Sequence, residues 1–155
     1  AKSIWIFSLV RAELRKKKPM DRSQMMRAVH SEDTKPEVVV RRALFRAGLR
    51  YRLHRRDLPG TPDIFVLRYN AVIFVNGCFW HQHGCKFTSR PKIRSEFWNN
   101  KFDNNVARDV KTLQQLSNEG FRVAVVWECS LKNSPDRATE RLVQFILGNE
   151  EFLEI

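Results

Sequence analysis

The sequence predicts an α/β fold, a mixed central sheet flanked by helices. Three observations carry the prediction. Asp63–Leu67, Ala71–Val75 and Phe121–Trp127 are short apolar runs, the length of buried strands. The first two are joined only by Arg68-Tyr69-Asn70, which makes them a hairpin. Helical patterns precede, separate and follow these runs, in the order α, β, β, β, α, β, α, and such an alternation packs helices against a sheet.

The elements follow in chain order. Asp21 and Ser23 can cap a short helix through Met25, Met26 and Val29. Thr34 and Glu37 form a T-x-x-E capping box around Pro36. The helix they open carries Val38, Val39, Leu44 and Phe45 and stops at Gly48. Leu49–Leu53 alternates apolar and basic residues and reads as a strand, and Leu58–Pro62 is a turn ahead of the hairpin. Gly77–Pro91 is irregular and rich in His, Cys and aromatic residues. Ser95–Asn118 suits a long helix with Phe102, Val106, Val110, Leu113 and Leu116 on one side, ended by Gly120. Arg137–Leu147 is the last helix, with Gly148 after it.

At 155 residues the chain fits one domain, read as residues 20–155, with residues 1–19 an extension outside it. A 43% hydrophobic fraction with 11 Phe and 4 Trp fills a core and excludes disorder over most of the length. No apolar run approaches the roughly 18–20 residues that span a bilayer, so no membrane association is expected. The apolar stretch Ile4–Val10 is short for a signal peptide, and Arg11 follows it in place of a small-residue cleavage site. An odd count of three cysteines points to a reducing interior, hence a cytoplasmic, nucleoid-associated location of bacterial type. Lys and Arg number 28 against 17 Asp and Glu, a net charge of +11 that favours nucleic acid as partner.

Cys78, His83 and Cys85 lie in one loop as C-x4-H-x-C, and Cys129 follows the Phe121–Trp127 strand. Four soft ligands suit a closed structural zinc site, which would organise a loop too short to fill a core. His81 sits between the ligands and is an alternative to His83. Asp63, at the start of an apolar strand, is placed to hold a divalent metal against a phosphate. His81 suits a base with near-neutral pKa, and Glu37 and Asp109 could orient it and the metal's waters. Glu37 is equally the acid of the capping box, and Ile73-Phe74-Val75-Asn76 lacks the Glu-x-Lys of the commonest PD-(D/E)xK nuclease pattern.

From about Met25 to the last helix the chain resembles the very-short-patch-repair (Vsr) endonucleases. Seven strings carry the resemblance in order: Thr34-Lys35-Pro36-Glu37, Tyr51-Arg52-Leu53-His54, Leu58-Pro59-Gly60-Thr61-Pro62-Asp63, Gly77-Cys78-Phe79-Trp80-His81 with His83 and Cys85, Glu96-Phe97-Trp98, Asn105-Val106-Ala107-Arg108-Asp109, and Trp127-Glu128-Cys129. The resemblance implies a fold similar to restriction endonucleases. It implies a Mg-dependent enzyme that nicks one DNA strand 5′ to the T of a T:G mismatch left by deamination of 5-methylcytosine. It assigns Asp63 and the main-chain carbonyl of Val75 to magnesium, His81 as general base, and Glu37 and Asp109 as its supports. Cys78, His83, Cys85 and Cys129 become the zinc ligands, which settles the choice between His81 and His83. Phe79, Trp80 and Trp98 form a wedge beside the mismatch, with Met26 and Val29 entering the opposite groove, although all five residue types equally suit a core. Arg22, Arg27, Arg41, Arg42, Arg46, Arg55, Arg56, Arg90, Lys92 and Arg94 supply phosphate-binding charge.

The chain departs from the family at Asn76, where His is frequent, which bears on phosphate or water contacts and so on rate and metal preference. Two rival readings stand beside the mismatch nickase: a restriction- or homing-type nuclease indifferent to mismatches, and a zinc-stabilised DNA-binding module without catalysis. One mismatch needs one active site, so a monomer is expected, with mismatch-repair proteins as possible partners.

Overall fold

In the computed structural model, residues 32–155 are described. The expected helix through Met25, Met26 and Val29, and the extension 1–19, lie outside the described residues. Helix α1 (Lys35–Arg46) begins at Thr34, whose side chain and that of Glu37 cap each other's backbone reciprocally. Val40 and Leu44 form its buried face. Gly48 at φ +77° turns the chain away, and the Leu49 N–H returns to the Leu44 carbonyl at 3.0 Å. Here glycine takes a left-handed backbone without steric cost.

The expected strand Leu49–Leu53 contracts to β1 (Arg52–Leu53), because only these two residues pair with the next strand, opposite Phe65 and Ile64. Leu49 is instead buried in the core, with Tyr51 packed against it. Strands β2 (Ile64–Val66) and β3 (Ala71–Asn76) form the expected antiparallel hairpin. Leu67–Tyr69 makes a 3-10 turn between them, closed by Asn70 at φ 49°.

The segment read as irregular contains one helical turn, α2 (Cys78–His81). Helix α3 spans Ser95–Asn118 as expected. Phe102 and Leu116 are buried, but Val106 and Val110 are 37% and 50% exposed, contrary to the expected apolar stripe. The half-buried Asn105, Asp109 and Thr112 take inward positions between Phe102 and Leu116. The stripe is thus interrupted where the helix faces the site.

Strand β4 (Arg122–Trp127) runs parallel to β3. A short helix α4 (Glu128–Asn133) leads into α5 (Pro135–Leu147), which starts two residues before the expected Arg137 with proline in its first turn. A last strand, β5 (Phe152–Glu154), was not expected. It adds parallel to β4 and completes a five-stranded mixed sheet ordered β1-β2-β3-β4-β5.

Both faces of the sheet are covered. Ile64, Ile73, Ala124 and Val126 meet Val40 and Leu44 of α1 and Leu142, Phe145 and Ile146 of α5. The alternate residues Phe65, Val72 and Val123 meet Leu116 of α3 on the other side. Two covered faces explain why these strands read as unbroken apolar runs.

Candidate active site and metal centre

Strand β2 stops pairing with β3 at Ile73, so the β3 edge beyond it has no β2 partner. Asp63, immediately before β2, occupies that edge: the Val75 N–H donates to Asp63 Oδ2 at 2.7 Å. The Val75 carbonyl belongs to the same edge, because the N–H and C=O of an extended residue point to one side. Burial pushes the Asp63 carboxyl up to about 6, opposed by the Val75 N–H. The charge of Glu37 raises it further, while His54 and His81 lower it. A carboxylate this poorly compensated, with one oxygen engaged by a single N–H, is suited to a cation. Asp63 and the Val75 carbonyl are therefore a donor set that a magnesium ion would fit.

His81 ends α2, and Asp109 comes from the inward line of α3. Their side chains meet at His81 Nδ1 and Asp109 Oδ2, 2.5 Å apart. A carboxylate accepting from Nδ1 leaves Nε2 as the basic nitrogen. Glu37 is 1% exposed. Its Oε1 accepts from the Thr34 hydroxyl at 2.9 Å and the Thr34 N–H at 3.4 Å, and its Oε2 from the Asp33 N–H at 3.1 Å and Arg41 at 2.8 Å. Among the described residues Glu37 makes no hydrogen bond to His81; its influence on the site is the charge felt at Asp63.

The surroundings of Glu37 were not foreseen from the sequence. Arg41 bridges Glu37 and Asp33, and its guanidinium also lies 3.1 Å from His54 Nε2. The Glu37–Arg41 spacing of i, i+4 was the available signal. Asp33 directly precedes the cap residue Thr34, and His54, the end of the Tyr51-Arg52-Leu53-His54 string, reaches the cluster from the segment after β1; no reading of the sequence joined them to Glu37.

The Cys78, His83, Cys85 and Cys129 ligand atoms all lie within 4.8 Å of one another. His83 Nδ1 is 3.4 Å from the Cys129 sulfur and 3.9 Å from that of Cys78. The His83 ring stacks on Trp127, centroids 4.2 Å apart and planes within 13°. Burial pushes the Cys78 thiol up to about 12, and sharing with Cys85 and Cys129 adds to it. At Cys85 burial also raises the pKa, but the Phe87 N–H, His83, Cys78 and Thr88 outweigh it and bring the thiol to about 6. Three sulfurs this close cannot all ionise without a cation, and an S3N tetrad is the donor set of a closed zinc site. The residues fit zinc, with His83, not His81, as the nitrogen ligand.

Phe79, Trp80 and Trp98 are all half-buried. They stack around the buried Phe102, which lies 5.2 Å from Phe79 and 5.6 Å from Trp98. Trp80 is 5.1 Å from Phe79 and 6.4 Å from Trp98. They are core on one side and surface on the other. Met26 and Val29 lie outside the described residues. A cavity of about 610 Å³ beside α4 and α5, lined in part by Ser130, Arg137, Arg141 and Ile155, includes none of these groups. No helix among the described residues is long and apolar enough to cross a membrane.

A half-buried carboxylate at a strand edge, a His–Asp pair whose imidazole acts on its charge, and a mixed sheet covered on both faces make up an α/β domain with a candidate nuclease site. A solved counterpart agrees in fold: the catalytic domain of homing endonuclease I-Bth0305I superposes with TM-score 0.53 at 23% identity, covering 74% of this chain and 95% of that one. Residues 15–87 match the family described as DNA mismatch endonuclease Vsr. The DNA mismatch endonuclease Vsr of Escherichia coli (strain K12) is 41% identical over 131 residues, 82% of this chain and 84% of that protein. The type II nicking enzyme V.XorIIP of Xanthomonas oryzae pv. oryzae is 49% identical over 115 residues, 74% of this chain and 85% of that protein. The chain belongs to the Vsr family of DNA mismatch endonucleases, and it is an endonuclease, a hydrolase whose partner is DNA.

Proposed function

We propose that the protein nicks one strand of duplex DNA 5′ to the T of a T:G mismatch, in the repair of deaminated 5-methylcytosine. The observation that carries this reading is the His81–Asp109 pair in one site with Asp63, within a family of mismatch endonucleases. Asp109 holds the His81 ring through Nδ1, and Nε2 takes a proton from the attacking water. The water oxygen bonds to phosphorus as one P–O ester bond breaks, and the sugar oxygen that leaves takes a proton from solvent water to become a hydroxyl. Asp63 and the Val75 carbonyl would hold magnesium, which supplies stabilisation of the charge that develops on the phosphate oxygens. Glu37 acts through its charge at Asp63. Cys78, His83, Cys85 and Cys129 hold a structural zinc that fixes the loop carrying His81.

Phe79, Trp80 and Trp98 supply mismatch selection, because a mismatched step costs less to unstack and an inserted aromatic offsets that cost. Met26 and Val29 would enter the opposite groove. Residues 20–155 serve as one domain, acting as a monomer on the bacterial nucleoid, where mismatch-repair proteins follow.

The test is a paired measurement of nicking rate and DNA affinity on T:G and matched duplexes at one salt concentration. Asp63→Asn and His81→Ala are expected to abolish nicking without weakening binding. Trp80→Ala is expected to shrink the preference for T:G over matched DNA. Near-parental nicking by Asp63→Asn would show that the active site lies elsewhere.

A further inference from the structure

Phe97 lies outside the aromatic wedge as the family resemblance defines it, and the fold leaves it exposed. Its side chain is 55% exposed on the first turn of α3, and Ile93, just before that helix, is 80% exposed. Both residues leave apolar surface open to water at one end of the helix. The Phe97 ring meets Trp98 edge to face, centroids 5.4 Å apart. Trp98 in turn packs on the buried Phe102, so Phe97 is the outermost member of a stack rooted in the core.

Cations lie against the rings, although Glu96 precedes Phe97 in the helix. The Arg94 guanidinium lies 5.8 Å from the Phe97 ring centroid, and Lys101 lies over both Trp80, at 5.3 Å, and Trp98, at 5.6 Å. In the free protein, then, cations sit on the stacking faces, positioned to move to phosphates when a base takes their place. Apolar rings continuous with the candidate wedge and rimmed by cations complement the chemistry of a DNA base step.

We propose that Phe97 is a further DNA-contacting residue, packing its ring against a base that flanks the mismatch and extending the wedge by one position. The proposal rests on the wedge reading of Trp80 and Trp98. Stacking on a base differs from phosphate binding in that it carries no charge, and from a purely structural role in that it separates T:G from matched DNA.

The experiment is equilibrium binding of Phe97→Ala, Phe97→Trp, Lys101→Ala and Trp80→Ala to T:G and matched duplexes over a series of salt concentrations, with thermal unfolding of each variant. For Phe97→Ala the expected result is roughly tenfold weaker binding to T:G DNA, within the range that loss of one base–aromatic stack produces. The loss on matched DNA is smaller, the salt slope stays parental, and the unfolding temperature falls only slightly, since one exposed edge-to-face contact is lost. Phe97→Trp retains parental affinity. Lys101→Ala, by contrast, lowers the salt slope by about one. Parental affinity of Phe97→Ala for T:G DNA overturns the proposal, as does an equal loss on both duplexes. Trp80→Ala tests the wedge independently: unchanged discrimination there defeats the wedge reading, whatever Phe97 shows.

Discussion

Asp63 is placed by one hydrogen bond, from the Val75 N–H, and by its position before β2, and the fold pushes its carboxyl up to about 6, chiefly through burial. That direction has a thermodynamic consequence in metal-free protein. The unfolded chain ionises Asp63 near the ordinary value of 3.8, while the folded chain holds the proton to about 6. Folding stability therefore falls as pH rises between these values, and the penalty is full above them. Its size is on the order of 2–3 kcal/mol. Asp63→Asn lacks the penalty. In the presence of a chelator it is expected to be more stable than the parent at pH 7, with the difference closing towards pH 4. Urea unfolding at the two pH values checks this, and a parent as stable as the variant at pH 7 would contradict it. The same poorly compensated charge is what a magnesium ion would meet, so the residue is tuned for a ligand at the expense of the apo fold.

At the scale of elements, the turn before Asp63 and helix α3 are fitted to each other at Gly60. Its φ is +72°, and a Cβ there would lie 2.3 Å from Thr112 Cγ2 on α3. Gly60→Ala is expected to destabilise by about 1–3 kcal/mol, from the left-handed backbone and the clash together. Adding Thr112→Ala should recover the steric part and leave about 1 kcal/mol, which a denaturant series on the single and double variants will measure. How legible each element was follows from the range of its causes. The capping box at Thr34 and Glu37 needs only neighbours in sequence, and it is present as expected. The hairpin of β2 and β3 is equally local. Strand β5 escaped because it is three residues long with two of them exposed, and it exists only by pairing with β4. Val106 and Val110 misled because the inward line of α3 carries polar residues with partners of their own: Asn105 donates to the Trp80 carbonyl, Asp109 meets His81, and Thr112 packs on Gly60. The His81–Asp109 contact links residues 28 apart, and the Arg41–His54 contact residues 13 apart. The first was reachable through family resemblance, whereas for the second the resemblance marked His54 and nothing paired it with Arg41.

At the scale of the whole molecule, two clusters tie the sheet to the loop that bears His81. The hydrophobic core covers both faces of the sheet, but Cys78, Val125, Trp127 and Cys129 form a separate small cluster at its end. A metal in the Cys78, His83, Cys85 and Cys129 tetrad would join that end to the Cys78–His81 turn. Zinc analysis is expected to find about one ion per chain, and its removal to lower the unfolding temperature before any chemistry is examined. Cys129→Ala with unchanged stability, or purified protein without zinc, would contradict this. The net charge of +11 adds affinity for any duplex and so cannot by itself select a mismatch. In the proposed reading, selection comes from the aromatic stack, and catalysis from Asp63 and the His81–Asp109 pair. The sharpest test of that division is to map the cut on end-labelled duplexes, identical except for one T:G or T:A pair, with magnesium present. The expected product is a single nick, 5′ to the mismatched T on the T-bearing strand, with little or no cutting of the T:A duplex. Equal cutting of both duplexes, or breakage of both strands, would contradict it.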